Sequence, residues 1–183
     1  MDVKGTGIMP ISIFVRENFP DRFDGWLDSL SPEARRIMET ALSSNWYPVK
    51  IAMIEATRAV IDTFFDGKEE GAWEMGRFSA DYSLKGVYRY FVKLGSPGFI
   101  ISRGSKIFSN YYRPAELTVV DKGPNHATLH ITHFPEPHTL IEFRLGGWVE
   151  RALELSGCKS IRVDITKSLT RGDSVTELKA KWV

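Results

Sequence analysis

All four histidines of this chain, His126, His130, His133 and His138, fall within one short stretch, where a metal cluster would first be sought. Imidazole nitrogens ligate zinc, copper, iron and nickel, so the spacing has to be weighed. The stretch alternates apolar and polar residues as a strand does. His130 falls on the polar parity and His133 on the opposite one, beside a proline-rich turn. Residues of opposite parity point to opposite faces of a strand, so the two cannot close on one ion. Cys158 is the sole thiol. A structural zinc site usually takes four Cys or His ligands, so no metal is expected. A single cysteine also forms no internal disulfide, which suits a reducing compartment.

Other candidates for chemistry resolve into structure. Glu70, Glu74 and Asp81 share roughly one helical face and imitate a carboxylate site, but such a run reads first as a solvated face. Arg171-Gly172-Asp173 reads as a tight turn. Gly5-Thr6-Gly7 lacks the preceding strand and the further glycine and lysine of a phosphate loop. No Gly-x-Ser-x-Gly elbow occurs, and nothing in the sequence pairs Cys158 with a histidine base. An enzyme is not expected.

These residues need elements to hold them. Ser31-Pro32 marks a helix start and a segment to about Leu42. The longest helix is predicted from Pro48 to Phe65, with Val49, Ala52, Met53, Ala56, Val60 and Phe64 as its apolar stripe. Further helices are predicted over 70–84, 87–94 and 98–111. After Pro114 the period changes to two. Ala115, Leu117 and Val119 alternate with polar residues, turn at Lys122 to Asn125, and return through Ala127, Leu129 and Ile131. A helix from Gly147 to Leu155 stops at Ser156-Gly157. A second hairpin follows, carrying Val163 and Ile165, then Leu178, Ala180 and Trp182. Helices first and strands later imply α+β. The expected fold is a helical N-terminal half packed on a four-stranded antiparallel sheet, with a helix between its two hairpins, as one domain over 1–183.

Charge and hydropathy narrow the partners. Lys plus Arg total 24 against 23 for Asp plus Glu, without a local basic run, so nucleic acid is not an expected partner. No apolar run reaches the roughly 18 residues of a membrane span. The N-terminus lacks the pattern of a secretory signal, which makes cytoplasmic localisation the expectation.

In order along the chain, Trp46-Tyr47-Pro48, Gly76-Arg77, Gly86-Val87-Tyr88, Ser96-Pro97, Gly146-Gly147-Trp148, Arg171-Gly172-Asp173 and Trp182 resemble a myxobacterial family of uncharacterised proteins of this length. The similarity runs from Lys4-Gly5-Thr6 to near the end. That family is similar to 4-vinyl reductase domains. Through them it resembles the ligand-binding superfamily shared by haem-based nitric-oxide sensors and TRAPP trafficking subunits. The resemblance implies a four-stranded sheet backed by helices, with a hydrophobic pocket between layers. Two departures stand out. The stretch Ser168 to Glu177 has no thiol where zinc-binding relatives carry cysteines, and Tyr82-Ser83-Leu84 does not match the Tyr-x-Ser-x-Arg signature of the haem sensors. Only His138, near the start of a late helix, is placed to serve as an axial ligand, so no haem or other cofactor is expected.

Aromatic residues make up 12% of the chain and crowd its helical half; most are read as core, and the surplus is available to line a cavity or cover a partner surface. The leading functional reading is a non-catalytic sensing or carrier domain for a small apolar ligand, in signalling. Its pocket is expected between the sheet and the helices bearing Trp73, Phe78, Tyr82, Tyr88, Phe91 and Phe108. The alternative is a homodimeric, TRAPP-like interaction module, and a homodimer through the helices is expected on the same surplus. A cryptic enzyme without a recognisable motif ranks third.

Overall fold

In the computed structural model, which describes residues 1–84 and 97–183, the Ser31-Pro32 signal starts a helix as its chemistry requires. The Ala34 amide donates to the Ser31 hydroxyl at 3.3 Å, and Pro32 occupies a first-turn position that needs no donor.

The chain opens with β1 (Asp2–Lys4), running straight into α1 (Gly5–Asn18), then α2 (Phe23–Asp28) and α3 (Pro32–Thr40). β2 (Trp46–Pro48) precedes a π-helical segment, Lys50–Glu55, which continues as α4 (Ala56–Phe64). α5 (Glu70–Leu84), α6 (Pro97–Ser102), α7 (Gly104–Ser109) and β3 (Tyr112–Arg113) complete the first half. The second half holds β4 (Glu116–Lys122), β5 (His126–His133), α8 (Thr139–Leu155), β6 (Arg162–Lys167) and β7 (Thr176–Lys181).

This is the α+β arrangement that the change of period implies. β4, β5, β7 and β6 form a four-stranded antiparallel sheet in that order, with Leu129 opposite Leu178 and Ala180 opposite Val163. Leu117, Ala127, Leu129, Ile131, Leu178 and Ala180 are buried on its helix-covered face. β2, β1 and β3 form a second small sheet that ties the N-terminus to the middle of the chain. The turn before β7 is a 3₁₀ segment, Leu169–Arg171, closed by Gly172 at φ 89°, a left-handed conformation that favours glycine.

Three boundaries differ from the sequence reading. The helix expected from Pro48 begins with a strand and a π-helical segment. The helix expected over 98–111 is two short helices meeting at Arg103. α8 starts at Thr139 rather than Gly147, where the His138 imidazole accepts the Leu140 amide at 3.2 Å. Gly146 and Gly147 suggested a boundary because glycine weakens helices, yet here they serve packing. The helix expected over 87–94 lies outside the described residues.

α5 and α8 meet backbone to backbone. A Cβ at Gly76 would run into the Arg144 carbonyl, one at Gly147 into the Trp73 carbonyl, and one at Gly146 into the Trp73 ring. Beside this glycine seam runs a ladder of charges. Arg77 bonds Glu150 at 2.5 Å and Glu154 at 2.9 Å, and Arg151 bonds Asp81 at 3.0 Å and Glu154 at 2.7 Å. The carboxylate face read from the sequence is therefore partly paired: Asp81 with Arg151, and Glu74 with Arg77 at 3.9 Å. α8 is also anchored to the last hairpin. Buried Glu142 accepts the hydroxyls of Ser168, at 2.6 Å, and Thr176.

Candidate functional site

Beside the glycine seam, α5 and α8 border a cavity of about 80 Å³ above the sheet. The floor is the apolar face of the sheet, through Leu117, Leu129 and Leu178. Gly76, Ser79 and Ser83 of α5 form one wall, and Arg144, Leu145, Trp148 and Val149 of α8 another. Gly104, Ile107 and Phe108 of α7 with Tyr111 and Tyr112 close a third side, and Met53 of the π-helical segment and Thr6 and Gly7 of α1 complete the lining.

The aromatic side of the cavity is a packed cluster. Phe108 lies 5.1 Å from Tyr112 and 6.1 Å from Phe134, and Tyr112 lies 5.4 Å from Phe134. The buried Tyr112 hydroxyl donates to the Met53 sulfur at 3.3 Å, and burial pushes its pKa up to about 12. The Tyr111 hydroxyl donates to Ser83 at 3.1 Å.

Arg144 is the exception in this apolar setting. It is only 4% exposed and lines the cavity. One terminal nitrogen donates to Ser79 Oγ at 3.2 Å and to the Gly7 carbonyl at a long 3.5 Å. The other, Nη1, has no hydrogen-bond partner among the described residues. Burial draws this guanidinium down from 12.5 to about 10. An unpaired buried charge is costly, which makes Arg144 the feature of the site that most needs explaining.

The structure places the six aromatics read from the sequence in different settings. Phe108 lines the cavity. Trp73 sits in the α5–α8 seam and donates its indole N–H to Glu150 at 2.9 Å. Phe78 packs edge-on against Phe14, with ring centroids 5.3 Å apart. Tyr82 is 38% exposed. Tyr88 and Phe91 lie outside the described residues. Arg144, Tyr112 and Met53 were missed. The available signal was a lone arginine among apolar residues, Phe143-Arg144-Leu145, just ahead of the double glycine.

The histidines are spread over separate roles. His130 pairs with Glu177 at 2.7 Å, His126 with Asp121 at 3.2 Å, His138 caps α8, and His133 is exposed. Among the described residues no three His, Cys, Asp or Glu side chains converge as metal ligands would.

No protein-family model matches this sequence, and no curated protein matches it either. Solved structures do match. An H-NOX protein from S. oneidensis in the Fe(II)NO state superposes with a TM-score of 0.76 at 13% identity, covering 98% of this chain and 99% of that one. The unliganded Fe(II) H-NOX protein from K. algicida gives 0.71 at 11%, covering 98% and 96%. An H-NOX domain from Shewanella oneidensis in the Fe(II)CO state gives 0.70 at 13%, covering 99% and 98%.

Those proteins hold iron, so the cavity has to be tested as a haem site. Haem iron takes His, Cys, Met or Tyr as axial ligand. Among the described residues no histidine or cysteine lines this cavity, Met53 and Tyr112 are engaged with each other, and the Tyr111 hydroxyl is engaged with Ser83. About 80 Å³ is also roughly half the ~150 Å³ that holds a single benzene. The described residues do not fit a haem. At 11–13% identity over almost the whole of both chains, the likeness is one of architecture: this chain has the H-NOX fold.

Proposed function

We propose that this chain is a non-catalytic small-molecule sensing or carrier domain whose ligand occupies the cavity between α5, α8, α7 and the sheet. One observation carries this reading: the cavity sits among packed elements, is lined mostly by apolar side chains, and contains a single charged group. Few convergent polar groups in an apolar recess are what ligand sites commonly offer. The H-NOX architecture and the resemblance to 4-vinyl reductase domains both support a ligand-binding fold, although fold alone never assigns function.

The homodimer reading has less to stand on. The large hydrophobics exposed among the described residues are Leu42, Tyr82, Val120 and Val183, carried by four different parts of the chain.

A thermal-shift screen of aromatic and fatty-acyl compounds of graded size tests the proposal. A ligand at one hundred times its Kd adds about 2.7 kcal/mol, which raises Tm by roughly 5–10 °C in a chain of this size. Phe108→Ala, which opens the cavity wall, is expected to shift the preference towards larger compounds. If no compound stabilises the wild type, the sensing reading fails.

A further inference from the structure

Resting on that reading, we infer that the ligand is a compact apolar monocarboxylate, and that Arg144 binds its carboxylate. The guanidinium lines the cavity at 4% exposure, with Nη1 unpartnered among the described residues and no ion pair to any Asp or Glu there. Residues 85–96 supply no counter-ion either, since their sequence contains Lys85, Arg89 and Lys93 but no acid. A fold this close to neutral, with 24 basic and 23 acidic residues, does not lack carboxylates to pair. The glutamate nearest in sequence, Glu142, two residues back on α8 and so on another face of the helix, is committed to Ser168 and Thr176.

Groups around Arg144 suit a carboxylate head and an apolar body. Guanidinium matches carboxylate geometry through paired N–H donors, and the pairing strengthens where water is excluded. Ser79 already donates its hydroxyl to the Met75 carbonyl at 2.8 Å while accepting from Arg144, so it fixes the arginine rather than neutralising it. Leu129, Leu178 and Phe108 offer hydrocarbon for the body, and the hydroxyls of Tyr111 and Tyr112 are directed to Ser83 and Met53. A volume of about 80 Å³ sets the scale at a few carbons.

The experiment uses matched pairs on the whole chain: acetate with acetamide, propionate with propionamide, and butyrate with butyramide. Each is titrated calorimetrically against wild type, Arg144→Met and Arg144→Lys. The carboxylates are expected to bind wild type roughly 10- to 100-fold more tightly than their amides, the range of a hydrogen bond to a charged group. In Arg144→Met that preference should vanish, and in Arg144→Lys a reduced preference should remain. Equal binding of acid and amide to wild type overturns the carboxylate assignment while leaving the ligand-binding reading intact. A carboxylate preference that survives in a folded Arg144→Met overturns the role of Arg144. If neither acids nor amides bind wild type, the carboxylate assignment fails; the sensing reading falls as well only if the wider screen also finds no stabilising compound.

Discussion

Replacing Arg144 by methionine should make the ligand-free protein more stable. In the fold the guanidinium is drawn from 12.5 to about 10, which at about 1.36 kcal/mol per tenfold corresponds to a penalty on the order of 3 kcal/mol. The sign follows from the direction of the shift. A base whose folded pKa is lowered weakens the fold wherever it is charged. The penalty is therefore full below about 10 and fades as pH rises towards 12.5. At neutral pH it is present in full. Against it stand two weak hydrogen bonds, at 3.2 and 3.5 Å to Ser79 and Gly7, worth at most about 1 kcal/mol each. Methionine keeps most of the side-chain volume and suits an irregular apolar wall. The balance is a gain of about 1–2 kcal/mol, or roughly 2–8 °C in Tm. Scanning calorimetry of dialysed wild type and Arg144→Met at pH 7 measures it. A saturating carboxylate should narrow or reverse the order by stabilising only the arginine form. If the dialysed variant instead melts several degrees below wild type, Arg144 is a structural group with a partner of its own, and the argument from an unpaired charge is refuted.

Glu177 supplies a second pH test. The Thr166 hydroxyl first, and then His130, hold its carboxylate down at about 2 against an ordinary 4.5. Its stabilisation is full above 4.5 and is lost as pH falls towards 2, so the Tm gap between wild type and Glu177→Gln should close across that window; a gap that stays constant would refute the assignment. Gly147→Ala drives a methyl into the Trp73 carbonyl, and a loss of about 1–3 kcal/mol is expected in urea denaturation. A neutral result there would mean that α5 and α8 are not pressed together as described.

Elements with a strong local code were legible from residue types alone. Ser31-Pro32 and the alternation through Leu129 and Ile131 each act over a few residues, and each gave the right element. The small sheet was not legible, because β1 and β2 have three residues each and β3 two, too few for any period to register. α1 was obscured by Gly5, Gly7 and Pro10, poor helix formers held in place by tertiary packing. The aromatic census located one cavity residue, Phe108, but it cannot distinguish a ring that lines a void from one that fills it. Trp73 fills the space over Gly146, and Phe78 the space beside Phe14. Arg144 escaped because the predicted helix began three residues after it, at Gly147. The likeness found is to H-NOX structures and is one of fold. The myxobacterial and vinyl-reductase part of the resemblance rests on the motifs themselves.

The glycine seam also has a mechanical consequence. Two helices in backbone contact, cross-braced by Arg77 and Arg151, behave as one stiff plank, since prising them apart would break three charged bonds together, Arg77 to Glu150 and Glu154 and Arg151 to Asp81. A guest that strains the cavity must find its give elsewhere. The shortest helix among the described walls is α7, six residues long and joined to α6 through Arg103 alone. On the proposed ligand-binding reading, loading is expected to displace α7 outward and towards β4, the strand at the sheet's edge. A partner reading the state of this domain would find its cue on that flank, and the back of the plank would stay mute.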